Sequence, residues 1–158
     1  MKIAIASDHR GHEAVLHLRS RLEAQGHEVA HLGETSGERS DYPDGARDVG
    51  HSVASGGAEL GILICGTGIG MSIAANKVKG VRAAVVGDEL SAGLARSHND
   101  ANVLCLSADL LGIRKIDLIV DTFLTSSFEG GRHARRVEKI KGIEAQQHGC
   151  GGDPPAGG

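Results

Sequence analysis

Leu60-Gly61-Ile62-Leu63-Ile64-Cys65-Gly66-Thr67-Gly68-Ile69-Gly70-Met71-Ser72 runs from an apolar stretch through a glycine-rich turn into a helical pattern. Residues 60–64 are short, continuous and aliphatic, as a strand covered on both faces requires. Residues 69–75 read as a helix that begins where the turn closes. Strand, tight turn and helix in that order form half of a βαβ unit. Outward from this unit, strands are expected over 3–6, 28–32, 81–86 and 103–106. Helices are expected over 13–24, 44–55, 89–97, 113–122 and 132–144. The alternation predicts a three-layer, Rossmann-like α/β sandwich around a five-stranded parallel sheet, in the flavodoxin-like order 2-1-3-4-5. Residues 1–148 form one domain in this reading. Residues 149–158, rich in Gly and Pro, have nothing to bury and are expected to be a disordered tail.

Composition narrows the function. With one Tyr, two Phe and no Trp, the chain lacks the aromatic platform on which nucleic-acid bases stack. A net charge of -3 without a long basic run also argues against a nucleic-acid partner. No apolar stretch reaches membrane-spanning length. The cysteines, Cys65, Cys105 and Cys150, are odd in number and form no CxxC pair, which points to a reducing, cytoplasmic setting.

In a sheet of this kind ligands bind beyond the carboxyl ends of the strands. The polar residues assigned to that region are Ser7-Asp8-His9-Arg10 after the first strand, the turn from Cys65 to Ser72, and Ser107-Ala108-Asp109 after the fifth. Arg96-Ser97-His98-Asn99-Asp100, ending the fourth helix, is expected to face the same cleft. Gly66, Gly68 and Gly70 allow close backbone approach, and the helix that follows offers unpaired N–H groups. Together they suit a phosphate or a developing oxyanion. Met71-Ser72 is not the Lys-Ser or Lys-Thr of a Walker A loop, and Met71 stands where a cysteine phosphatase needs arginine. At a strand end facing helix N–H groups, Cys65 is in a setting that favours thiolate. A thiolate there is a nucleophile or a general base; a small buried hydrophobe is the plain alternative, and the one assigned to Cys105.

Asp8 and His9 read as ligands of a hydroxyl and an anion, or as turn chemistry. His98 reads as a proton-moving group or a helix cap. Arg132 and Arg136, four apart on one helical face, form a phosphate clamp or a solvated charge face. The remaining histidines show no metal-site spacing.

Taken together, Ser7-Asp8-His9, Ser40-Asp41-Tyr42-Pro43, the turn from Ile64 to Gly70 and Ser72-Ile73-Ala74-Ala75-Asn76-Lys77 resemble the ribose-5-phosphate isomerase B family and its galactose-6-phosphate isomerase relatives. Arg96-Ser97-His98-Asn99-Asp100-Ala101-Asn102 and Phe128-Glu129-Gly130-Gly131-Arg132-His133-Ala134-Arg135-Arg136 continue the match, in order, over residues 2–146. The resemblance implies an aldose–ketose isomerase of sugar phosphates that uses no metal or other cofactor. It also implies a homodimer or tetramer whose active sites draw on two subunits. By carry-over Cys65 is the base, Thr67 and the amides of Gly66, Gly68, Ile69, Gly70 and Ser72 hold the enediolate and substrate, and His98 aids ring opening. Asp8 and Asn99 orient sugar oxygens, His9, Arg132 and Arg136 bind phosphate, and Tyr42 lines the cleft. Ribose 5-phosphate is the expected substrate; a six-carbon sugar phosphate, allose 6-phosphate or galactose 6-phosphate, is the alternative. A flavin-binding module and a cysteine hydrolase are the readings from other classes.

One position departs from the family pattern. Relatives often carry Gly-x-Arg-x-x-Gly after the fifth strand, where this chain has Ser107-Ala108-Asp109-Leu110-Leu111-Gly112. Asp109 is expected to turn away and pair with a nearby arginine, leaving phosphate to His9, Arg132 and Arg136. The alternative is that it accepts sugar hydroxyls.

Overall fold

The computed structural model describes residues 1–148, so the expected tail and Cys150 lie outside the described residues. Strands β1 (Lys2–Ser7), β2 (Glu28–His31), β3 (Leu60–Cys65), β4 (Ala83–Val85) and β5 (Val103–Ser107) alternate with helices. The helices are α1 (His12–Ala24), α2 (Tyr42–Ala54), α3 (Ile69–Ala75), α4 (Glu89–Asn99), α5 (Ile113–Thr125) and α6 (Gly131–His148). All five strands are parallel.

The two faces of the sheet carry different side chains, as the period-2 alternation of a strand dictates. Ile3, Ile5, Leu60, Ile62, Ile64, Leu104 and Leu106 point to one face and pack against α1, α4 and α5. Ala4, Ala6, Leu63, Cys65, Val103 and Cys105 point to the other, under α2 and α3. That second face is built from small groups. A Cβ on Gly61 would lie 2.6 Å from Val49 Cγ1, and one on Gly45 would lie 3.1 Å from the Ala6 methyl.

The five-stranded parallel sandwich is as expected, but the order is β2-β1-β3-β5-β4, with the last two strands exchanged relative to 2-1-3-4-5. The reason is burial. Every residue of β5 is buried, whereas the three of β4 are half-buried or exposed. The longer apolar run takes the interior position beside β3, and the short strand becomes the edge. Asn76 finishes that edge: its side-chain oxygen accepts the Ala83 N–H at 2.9 Å and its Nδ2 donates to the Ala83 carbonyl at 2.9 Å.

Candidate active site

Cys65 closes β3 with its side chain nearly buried, 4% exposed. The chain then turns so sharply that the Gly68 N–H donates to the Cys65 sulfur at 3.1 Å. Gly68 makes the turn possible: its φ is +77°, and a Cβ would meet the Leu106 backbone at 3.0 Å. An N–H aimed at sulfur is the contact that a thiolate uses. Thr67 is exposed at the tip, and its hydroxyl accepts the Ile69 N–H at 3.3 Å. Cys105 on the same face is wholly buried, and burial pushes its thiol well above the ordinary range. Cys65 ends its strand at the glycine-rich turn, whereas Cys105 lies inside β5, and the plain reading of Cys105 stands.

The neighbouring strand end completes this half of the site. Asp8 Oδ1 accepts the N–H groups of Arg10 at 2.9 Å and Gly11 at 3.2 Å, so one oxygen does turn chemistry. Its other oxygen makes no hydrogen bond among the described residues. His9 is exposed beside it, and the two share an open cleft of about 510 Å³ with Arg39, Ser40, Asp41 and Tyr42. Tyr42, first residue of α2, lays its ring over the turn: a Cβ on Gly70 would sit 2.6 Å from the ring carbons. Ser72 is placed otherwise than expected. It is the fourth residue of α3: its N–H donates to the Gly68 carbonyl at 3.1 Å and its hydroxyl to the Ala83 carbonyl at 3.3 Å.

Asp109 pairs with an arginine, and that arginine is Arg10, whose Nη2 lies 2.7 Å from Asp109 Oδ1. The sequence reading had left Arg10 without a role, although it directly follows Asp8-His9.

The other expected residues form a second group. Among them, His98 and Asn99 end α4, and Arg132 and Arg136 open α6. Arg82 and Arg96 both bind the Asp100 carboxylate, at 2.8 and 2.9 Å, which fixes the turn after Asn99. The Glu129 N–H donates to the Ser97 carbonyl at 3.0 Å and joins α4 to the segment before α6. The His98 and His133 rings stack, His133 being only 5% exposed. Burial, then the neighbouring His98 and Arg132, hold the His133 imidazole below its ordinary value. Arg132 and Arg136 are exposed. The Glu129 carboxylate and the two imidazoles offer ligand atoms within 4.8 Å of one another. Arg132 Nε, however, lies 3.3 Å from His133 Nε2 and occupies that lone pair, which disfavours a cation. Glu129 and His133 were missed as functional candidates, although both flank the quoted Gly130-Gly131-Arg132.

One chain does not bring the two groups into one cleft. In the β3–β5 register Cys65 pairs with Ser107 and Gly61 with Val103. The α4–β5 turn therefore lies at the amino end of the sheet, where the Gly61 N–H donates to the Asn102 carbonyl at 2.9 Å. Four strand residues separate that level from Cys65, ~13 Å at about 3.3 Å each. The expectation of a single cleft fails because a helix following a parallel strand returns its carboxyl end to the opposite edge.

Residues 3–140 match the family model described as Ribose/Galactose Isomerase. Ribose-5-phosphate isomerase B of Escherichia coli is 48% identical over 151 residues, covering 93% of this chain and 99% of that one. A putative sugar phosphate isomerase of Bacillus subtilis is 45% identical, covering 91% and 97%. Among solved structures, Clostridium thermocellum ribose-5-phosphate isomerase B superposes with a TM-score of 0.91 at 47% identity, covering 93% and 99%. The Mycoplasma genitalium ribose-5-phosphate isomerase B with bound ribulose 5-phosphate superposes at 0.89 with 46% identity, covering 92% and 97%.

Proposed function

As this chain belongs to the ribose/galactose isomerase family, we infer that it interconverts ribose 5-phosphate and ribulose 5-phosphate, with Cys65 as the base. The observation that carries the role of Cys65 is the Gly68 N–H on its sulfur at 3.1 Å, in the mouth of a glycine-rich turn. The thiolate removes the C2 proton of the open aldose. The C2–H electron pair becomes the C1–C2 double bond, and the carbonyl pair moves onto O1. Thr67 and the amides of the turn carry the resulting negative charge. Transfer of the O2 proton to O1, and return of the carbon proton from Cys65 to C1 as the O2 electron pair forms the C2 carbonyl, give the ketose and restore the thiolate. Asp8 and Tyr42 position the sugar beside the turn, and His9 meets the phosphate.

His98, Asn99, Arg132 and Arg136 act in this reading from a second copy of the chain. Support comes from the register, which keeps them from Cys65 within one chain. It comes also from Ile69 and Ile73, 55% and 58% exposed on one face of α3 beside the turn, an apolar stripe suited to burial against a partner. His98 opens the sugar ring, Asn99 orients sugar oxygens, and the two arginines close on the phosphate. Free Cys65 and Cys105 favour a reducing, cytoplasmic setting; among the described residues no helix is long and apolar enough to cross a membrane.

A panel of ribose 5-phosphate, allose 6-phosphate and galactose 6-phosphate tests the substrate, with the highest kcat/KM expected for the pentose. Solvent-tritium exchange tests the base. Cys65→Ala should lose ~10²–10⁴-fold of exchange at C2 of the aldose, and undiminished exchange removes Cys65 from that role.

A further inference from the structure

Asp109 sits on the turn that carries the chemistry. Its N–H donates to the Gly66 carbonyl at 3.1 Å, and a Cβ on Gly66 would lie 2.9 Å from its carboxylate. A lone carboxylate there opposes any anionic substrate. Arg10, on the neighbouring strand end, answers that charge with two-point geometry. Its Nε lies 3.0 and 2.9 Å from the two Asp109 oxygens, and its Nη2 lies 2.7 Å from Oδ1. The guanidinium is thereby held by one edge, while Nη1 makes no hydrogen bond among the described residues. The Arg10 side chain is 56% exposed. The same imagined Gly66 Cβ would lie 3.2 Å from Arg10 Cδ and Nε, so the pair rests on the first glycine after Cys65.

We propose that Arg10 is a phosphate-binding residue of this site and that Asp109 is its positioning residue. An arginine tethered along one edge keeps a flat, fixed set of donors on the other, which suits phosphate oxygens better than a freely moving cation does. Asp109 then aids anion binding despite its sign, because it fixes a guanidinium in place. Arg10, His9 and Asp8 are close in sequence, at the end of one strand. This inference rests on the sugar-phosphate reading above.

The test compares Arg10→Gln, Asp109→Asn and the double variant Arg10→Gln/Asp109→Arg with the unaltered chain. Arg10→Gln should raise KM for ribose 5-phosphate by about tenfold with little change in kcat, and weaken inhibition by inorganic phosphate by a similar factor. Asp109→Asn should raise KM by less than about tenfold. The double variant, which returns a guanidinium from the other side of Gly66, should recover most of the lost affinity. Unchanged KM and phosphate inhibition in Arg10→Gln overturn the proposal and leave a merely structural pair. Failure of the unaltered chain to turn over ribose 5-phosphate would fail the substrate reading alone. Calorimetric binding of inorganic phosphate to the unaltered chain and Arg10→Gln then decides, and equal affinities overturn the role of Arg10.

Discussion

The imidazole of His98 stacks on that of His133, with ring centroids 4.0 Å apart and planes 9° from parallel. Glu129 Oε2 lies 3.9 Å from one Nε2 and 3.7 Å from the other. Two imidazolium rings this close repel, and Arg132 and Arg136 add to that repulsion at His133. Burial disfavours the charged form of His133, with Glu129 partly offsetting the effect. A histidine whose folded pKa lies below its ordinary 6.5 binds fewer protons folded than unfolded. Its contribution is thus neutral well above 6.5, and stability is lost as pH falls through 6.5 toward the folded value. Thermal melts between pH 7.5 and 5.5 should show a decline that is smaller in His133→Gln. An identical pH slope in both proteins would count against this account.

The register that separates His98 from Cys65 makes a mixing experiment decisive. Cys65→Ala and His98→Asn should each be nearly inactive alone. Unfolded together and refolded, half of the dimers carry one of each chain, and each such dimer holds one site with both native groups. Activity should return to about a quarter of the unaltered level for a twofold-symmetric pair. No recovery on mixing would overturn the reading in which His98 acts from a second copy of the chain.

Gly70→Ala should disturb the Tyr42 ring, which lies where the new methyl must go. Displacing the ring or the turn is expected to cost roughly 1–3 kcal/mol and to raise KM more than it lowers kcat. Melting curves and steady-state kinetics on the same preparation would separate the two effects; a variant equal to the unaltered chain in both would show the contact to be idle.

Asn76→Ala should remove both hydrogen bonds to Ala83 and fray the sheet edge. A loss of roughly 1–2 kcal/mol is expected, and hydrogen exchange at Ala83 should accelerate before exchange in β5 does. Unchanged exchange at Ala83 would mean that water replaces the carboxamide without loss.

Much of this was legible in sequence because it is local. The apolar runs of β1, β3 and β5, the positive φ demanded of Gly68 and the change of period into α3 all lie within a few residues of their cause. The order at the β4 edge was not legible, since a three-residue strand and a five-residue strand look alike until their burial is known. Arg10 and Asp109 are 99 positions apart, and no local pattern announces such a pair; the departure at Asp109 signalled only that some arginine was needed. The stacking of His98 on His133 depends on where α6 docks, which periodicity does not specify. The separation of His98 from Cys65 at the two ends of the sheet follows from parallel βα geometry, and the position of His98 at a helix carboxyl end was the available clue.

The small-residue face of the sheet has a consequence for how this sequence can drift. Under α1, α4 and α5, neighbouring isoleucines and leucines can exchange volume, so a lost methylene at one position can be made up at the next. Under α2 and α3 there is no such slack: Ala4, Ala6, Gly45 and Gly61 already sit near the lower limit of side-chain size. An increase in size on that face has nowhere to go except into the placement of α3, and so into the turn beside Cys65. Saturation mutagenesis should therefore find two unequal hydrophobic faces in one fold, one permissive and one nearly frozen, with the frozen face the one beneath the Cys65 sulfur.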